Sequence, residues 1–189
     1  MTLPTLEFAI LTNDSERAVE FAKPLGGQAY VETRSGRDDL PFQALATVVS
    51  DDLEEAKHVA DVGLYIVCRR IIKPGAARVF GLFGLVHHPD KTHAEADAHW
   101  RDVHAPLALE HHAHMTHYIQ LSVVQTISGM PIDGFALCGF DSTTDLRERF
   151  YTAPPSRAII ISDVQTFADT NKSPRRLIAV NRLAGPQDP

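Results

Sequence analysis

The chain is 189 residues long, 44% hydrophobic and 22% charged, with a formal net charge of −6, the composition of an ordinary globular protein large enough for one domain or two units sharing a core. Its nearest approach to a basic cluster is Lys172, Arg175 and Arg176, which excludes sequence-independent nucleic-acid binding, since that needs clustered cations against the phosphates. No apolar run reaches the ~20 residues of a membrane span, and "MTLPTLEFAILTNDSER" lacks the charged, apolar and small-residue regions of a secretion leader. Cys68 and Cys138 sit in strand-like runs and read as free buried thiols of a cytoplasmic protein.

In chain order, "LEFAILT" (6–12) is strand-like, and Asn13 with Glu16 three residues on opens a helix that Gly26-Gly27 ends. "QAYVET" and "FQALATVVS" are strands joined by the polar "RSGRDDLP". "DDLEEAKHVADVG" has the acidic first turn and terminal glycine of a short helix, and "LYIVCRRII" is a fourth strand. The order β-α-β-β-α-β is that of a ferredoxin-like unit. After "KPGAAR" the same order begins again. "VFGLFGLVHH" is a strand; its Gly81 and Gly84 leave room for a ligand or another backbone. "THAEADAHWRDVHAPLALEHH" is helical, opened by a Thr92-x-x-Glu95 capping box. "HYIQLSVVQTI" and "DGFALCGF" are strands, "DSTTDLRERFYT" is a helix with Asp141 and Ser142 as cap candidates, "RRLIAVNRL" closes as a strand, and "AGPQDP" is a tail expected to fray.

Two such halves, 1–74 and 75–189, each expose one sheet face, and the simplest partner for each face is the other. The expected fold is therefore α+β: two ferredoxin-like βαββαβ halves closing into an intramolecular dimeric-type α/β barrel, with a further homodimer possible.

"WRDVHAPLA" carries Trp100, His104, Ala105 and Pro106; "HYIQ" (117–120) and "DGFALCGFDS" (133–142) follow it. In these pieces the chain resembles the EthD family of dimeric α/β-barrel proteins, over residues 77 to 183. The first half has no W-x-x-x-H-A-P segment. The resemblance implies a role beside an oxygenase system, or decarboxylase- or dehydratase-like tailoring chemistry, on a small hydrophobic compound held without a bound cofactor.

The residues themselves allow more than one role. Ala96, Trp100, Val103 and Leu107 form an apolar helical stripe, which makes Trp100 a core residue or the wall of a ligand pocket. Pro106 disfavours helical geometry at Ala105, so the helix should kink or restart beside His104. His104 then either pins the kink, or is pinned through one nitrogen while the other points into the barrel and moves protons there. In "HYIQLSV" Tyr118, Gln120 and Ser122 share one face and His117, Ile119, Leu121 and Val123 the other. An apolar face suits a helix layer, so the Tyr118 face is expected to line the barrel interior or, if the halves do not close, solvent. The candidate site is thus His104 and Tyr118 for catalysis, with Trp100, Gln120 and Ser122 contacting substrate.

His111, His112, His114 and His117 crowd a short span, but no H-E-x-x-H motif or carboxylate pair accompanies them, and no metal is expected. The P-loop, the dinucleotide fingerprint, the G-x-S-x-G elbow and a haem signature are all missing, so no cofactor is expected. The leading reading is cofactor-free acid/base chemistry by His104 on a small hydrophobic, oxygenated molecule. The alternative is a non-catalytic ligand-binding accessory of an oxygenase; a filled, purely structural barrel is the third.

Overall fold

The structure is a computed structural model describing residues 5–34, 36–37 and 39–184; residues 185–189 of the tail expected to fray lie outside it. Eight strands, β1 (Leu6–Thr12), β2 (Gln28–Glu32), β3 (Ala44–Val48), β4 (Gly63–Lys73), β5 (Val79–Leu85), β6 (His117–Ser128), β7 (Gly134–Phe140) and β8 (Leu177–Asn181), close into an antiparallel barrel in the order β1-β3-β2-β8-β5-β7-β6-β4. Each half contributes four adjacent strands, and the seams are the long β4–β6 pair and the short β2–β8 pair. Register shifts along β4–β6 bend the two longest strands around the barrel.

The helices α1 (Ser15–Ala22) and α2 (Leu53–Val59) cover the first four strands. The rest cover the second four: α3 (His93–His99), a π-helical turn (Trp100–His104), α4 (Ala105–His111), α5 (Thr143–Glu148) and α6 (Pro154–Phe167). Strands sandwiched between interior and helices are buried on both faces, which is why β7 reads as an unbroken apolar run and β3 as one broken only by Thr47. Three cores result: the barrel interior, around Leu45, Val67, Leu121 and Leu137, and one helix–sheet layer for each half.

Local start signals act as expected at α3, where Thr92 accepts from the Glu95 amide while the Glu95 carboxylate accepts from the Thr92 amide. At α1 the cap is Asp14 rather than Asn13; its carboxylate accepts from the Arg17 amide. No membrane-length apolar helix occurs among the described residues, and both cysteines are free thiols.

Two expectations are corrected. The face of β6 that turns into the barrel is Ile119, Leu121 and Val123, whereas Tyr118, Gln120 and Ser122 face the helix layer. The barrel interior is the more demanding solvent, because there mainly side chains from other strands meet a side chain. The helix layer can offer carbonyls and carboxylates to a buried phenol, amide or hydroxyl. Second, the buried helical stripe is Ala96, Trp100, His104 and Ala108, and Val103 is 49% exposed. The cause is the π turn: the Ala105 amide bonds the Trp100 carbonyl, five residues back. One extra residue per turn carries His104 to the inside in place of Val103. Ala105 stays helical, so the chain does not restart there. The wider turn eases the pressure of the Pro106 ring on the preceding turn's carbonyl.

Candidate active site

The π turn places His104 against α6, a helix the sequence pattern left unassigned. Its signals are Pro154-Pro155 at the start and the inward spacing Ser156, Ile160, Phe167. Asp163 of α6 receives both histidines of the facing helix. The His104 Nδ1–H donates to Oδ2 at 2.7 Å, and the His99 Nε2–H to Oδ1 at 2.8 Å. A carboxylate can only accept here, so the His104 proton sits on Nδ1 and Nε2 carries the lone pair. Phe167 packs against both rings, 5.1 Å from His99 and 5.2 Å from His104. Among the described residues nothing hydrogen-bonds His104 Nε2.

That nitrogen belongs to a residue lining a cavity of about 220 Å³ between the helix layer and the C-terminal strands, rather than the barrel interior where it was expected. Phe83, Trp100, Tyr118, Phe150, Tyr151 and Phe167 supply its aromatic walls, and His104 and His112 are its imidazoles. Burial lowers the pKa of His104 below the ordinary 6.5, against the opposing hydrogen bond and charge of Asp163, so the ring is neutral at pH 7 and able to accept a proton. Burial also takes His112 down to about 4; its Nδ1–H donates to the Phe150 carbonyl at 2.6 Å. The Cys138 thiol, pushed up to about 12 by burial, is no nucleophile.

Tyr118 is strongly disfavoured from ionising by burial. Its oxygen accepts from Trp100 Nε1 and from Gln120 Nε2, each at 3.1 Å. A phenol that accepts twice and stays protonated is a hydrogen-bond donor rather than a base. Gln120 also holds the Trp100 carbonyl at 3.1 Å, the carbonyl that closes the π turn. Ser122 donates to Asp97 at 2.6 Å, Asp97 takes a two-pronged bond from Arg70, and the Arg70 guanidinium lies over the Trp100 ring at 5.3 Å. Gly134 also packs against that ring: a Cβ there would stand 2.5 Å from Trp100 Cζ3.

Of the five residues singled out in the sequence, Trp100, His104 and Tyr118 therefore line one cavity, while Gln120 and Ser122 stand behind its wall and hold it. Asp163 was missed because nothing near it in sequence announces a partner 59 residues away. The neighbouring histidines are dispersed: His111 meets Ser156, His114 meets Arg149, and His117 turns to the barrel interior. Among the described residues no three His, Cys, Asp or Glu side chains converge as metal ligands.

No curated protein matches the sequence. Across the whole fold, the chain is similar to a solved structure described as a "putative monooxygenase" from Lactobacillus acidophilus NCFM. The TM-score is 0.52 at 10% identity, covering 95% of this chain and 94% of that one; likeness at this identity speaks for shared architecture alone. Residues 88–171 match the EthD domain family, so the segment that carries Trp100, His104, Tyr118 and Asp163 is the part of the chain that matches the EthD domain.

Proposed function

We propose that the chain is a fused pair of ferredoxin-like units, 1–74 and 75–189, whose second unit binds a small hydrophobic, oxygenated molecule and moves a proton on it without a cofactor. The adjacency of four strands from each half supports the first part. The observation that carries the second is His104, fixed by Asp163 through Nδ1 and lining an aromatic cavity. Nε2 takes a proton from an acidic O–H or a C–H beside a carbonyl, and Asp163 stabilises the imidazolium that forms. The Tyr118 hydroxyl donates to the oxygen on which negative charge develops. The proton returns from Nε2 to a different atom of the same molecule, or leaves with a fragment of it.

The test uses Trp100, the only tryptophan, as its reporter. Phenols, quinones, lactones and ethers are screened by indole fluorescence and thermal shift on wild type and His104→Gln. Ligands that perturb Trp100 in both proteins but turn over only with wild type support the reading. Turnover unchanged by His104→Gln overturns the catalytic role of His104, and binding without turnover in the wild type leaves a ligand-binding accessory protein. A cavity that accepts nothing overturns both.

A further inference from the structure

The two ends of the barrel differ. One is plugged by Leu40, Phe42 and Ile132 packed into the interior core, with the Tyr65 hydroxyl bonded to the Met130 carbonyl. The other opens into a vestibule of about 410 Å³. Its rim is apolar: Leu25, Val49 and Ile71 are 41%, 59% and 57% exposed and all line it. Its floor is polar, where β1, β3 and β4 point Glu7, Thr47 and Arg69 inward. Arg69 donates to both Glu7 oxygens, at 2.6 and 2.8 Å, and to Thr47 Oγ1 at 2.7 Å.

An ion pair inside an otherwise apolar barrel costs desolvation that a hydrophobic pair of the same volume avoids, so its presence invites a functional account. Glu7 and Thr47 take three of the five guanidinium N–H groups and the Tyr30 hydroxyl bonds the same guanidinium, so one Arg69 N–H and the Tyr30 O–H remain to donate in the vestibule beside the His117 ring. Asn181 and Gln28, bonded to each other, form the amide part of the wall. The floor carries no net charge, because Glu7 offsets Arg69. Burial holds Tyr30 protonated, and burial followed by the Arg69 charge lowers His117 toward its neutral form. An anionic head would meet the Glu7 carboxylate and a cationic one the Arg69 guanidinium.

We infer that this mouth is a second binding site, separate from the His104 cavity, for an uncharged molecule with an oxygen acceptor at one end and an apolar body. The acceptor is a carbonyl, ether or hydroxyl oxygen lodged at Arg69 and Tyr30, and the body lies against Leu25, Val49 and Ile71. None of these residues lines the His104 cavity, so occupancy of the mouth does not depend on the proposed catalytic role.

Four probes with one ring and different heads test it: cyclohexanone, cyclohexanol, cyclohexanecarboxylate and cyclohexylammonium, titrated into the ¹⁵N-labelled full chain. Cyclohexanone and cyclohexanol are expected to shift the amides of Gly27, Thr47 and Gly75 saturably, and the two charged probes to bind at least about tenfold more weakly (~1.4 kcal/mol). Ile71→Trp and Val49→Trp, both at exposed rim positions, should each abolish the shifts while His104→Gln leaves them intact. Vestibule amides that do not respond, a charged probe that binds as well, or rim variants that titrate like wild type would each overturn the proposal. Shifts confined to the Trp100 indole would report the other cavity and overturn it too.

Discussion

Replacing His112 with Asn isolates the cost of keeping one imidazole uncharged beside the cavity. The asparagine amide can still donate to the Phe150 carbonyl, which His112 reaches at 2.6 Å, but it does not titrate. In the unfolded chain His112 has the ordinary value of 6.5, and in the folded protein about 4, with burial as the leading cause. The folded value is the lower one, so the unfolded chain binds more protons between the two. Stability is therefore lost as pH falls from 6.5 and the loss levels off below about 4. At about 1.4 kcal/mol per pH unit this window is worth ~3 kcal/mol. For a chain of this size that is roughly 6–12 °C in Tm. Thermal or urea melts at pH 7 and pH 4 on both proteins measure it. His104 and His117 shift in the same direction, so the readout is the difference between the two proteins. His112→Asn should be less stable at pH 7, through its smaller volume, and should recover about 3 kcal/mol relative to wild type by pH 4. Parallel pH profiles would refute the argument, and with it the reading of His112 as a buried neutral ring.

Asp163→Asn removes the charge that supports a protonated His104: turnover should fall by about 10²–10⁴, and the His104 pKa should drop further. Imidazole ¹⁵N shifts that keep the Nδ1–H tautomer and the same midpoint would contradict this. The wild-type rate should rise with pH through the His104 pKa, below 6.5, and be flat at neutral pH; an acidic limb centred above 6.5 would count against His104 as the base. Gly134→Ala forces the Trp100 ring aside from a 2.5 Å approach, at a cost of about 1–3 kcal/mol, with a shifted indole emission; unchanged emission and Tm would show that the wall is not seated there. Ser122→Ala leaves Asp97 hydrogen-bonded by Arg70, with Arg101 at 3.8 Å, and should cost about 1 kcal/mol in a denaturant melt without affecting turnover; a loss of turnover would place Ser122 nearer the chemistry than its contacts indicate.

Apart from α6, element order was legible in the sequence because it rests on near neighbours: the Thr92–Glu95 cap, the glycines after helices and the apolar strands all act within a few residues. Trp100, His104 and Tyr118 were singled out as residue types suited to a site, but with Tyr118 expected in the barrel interior rather than beneath the helix. Three things belonged to the tertiary structure. Which face of β6 turns inward depended on what the helix layer offered Tyr118, Gln120 and Ser122 for hydrogen bonding. The one-residue rotation of the stripe depended on a π turn whose carbonyl is held by Gln120 from another element. The partner of His104 depended on α6 folding back across the cavity. Hydrogen bonds between neighbours are set by local spacing. The direction in which a side chain is buried is set by the surface that covers it, and only the closed barrel with its helices decides that.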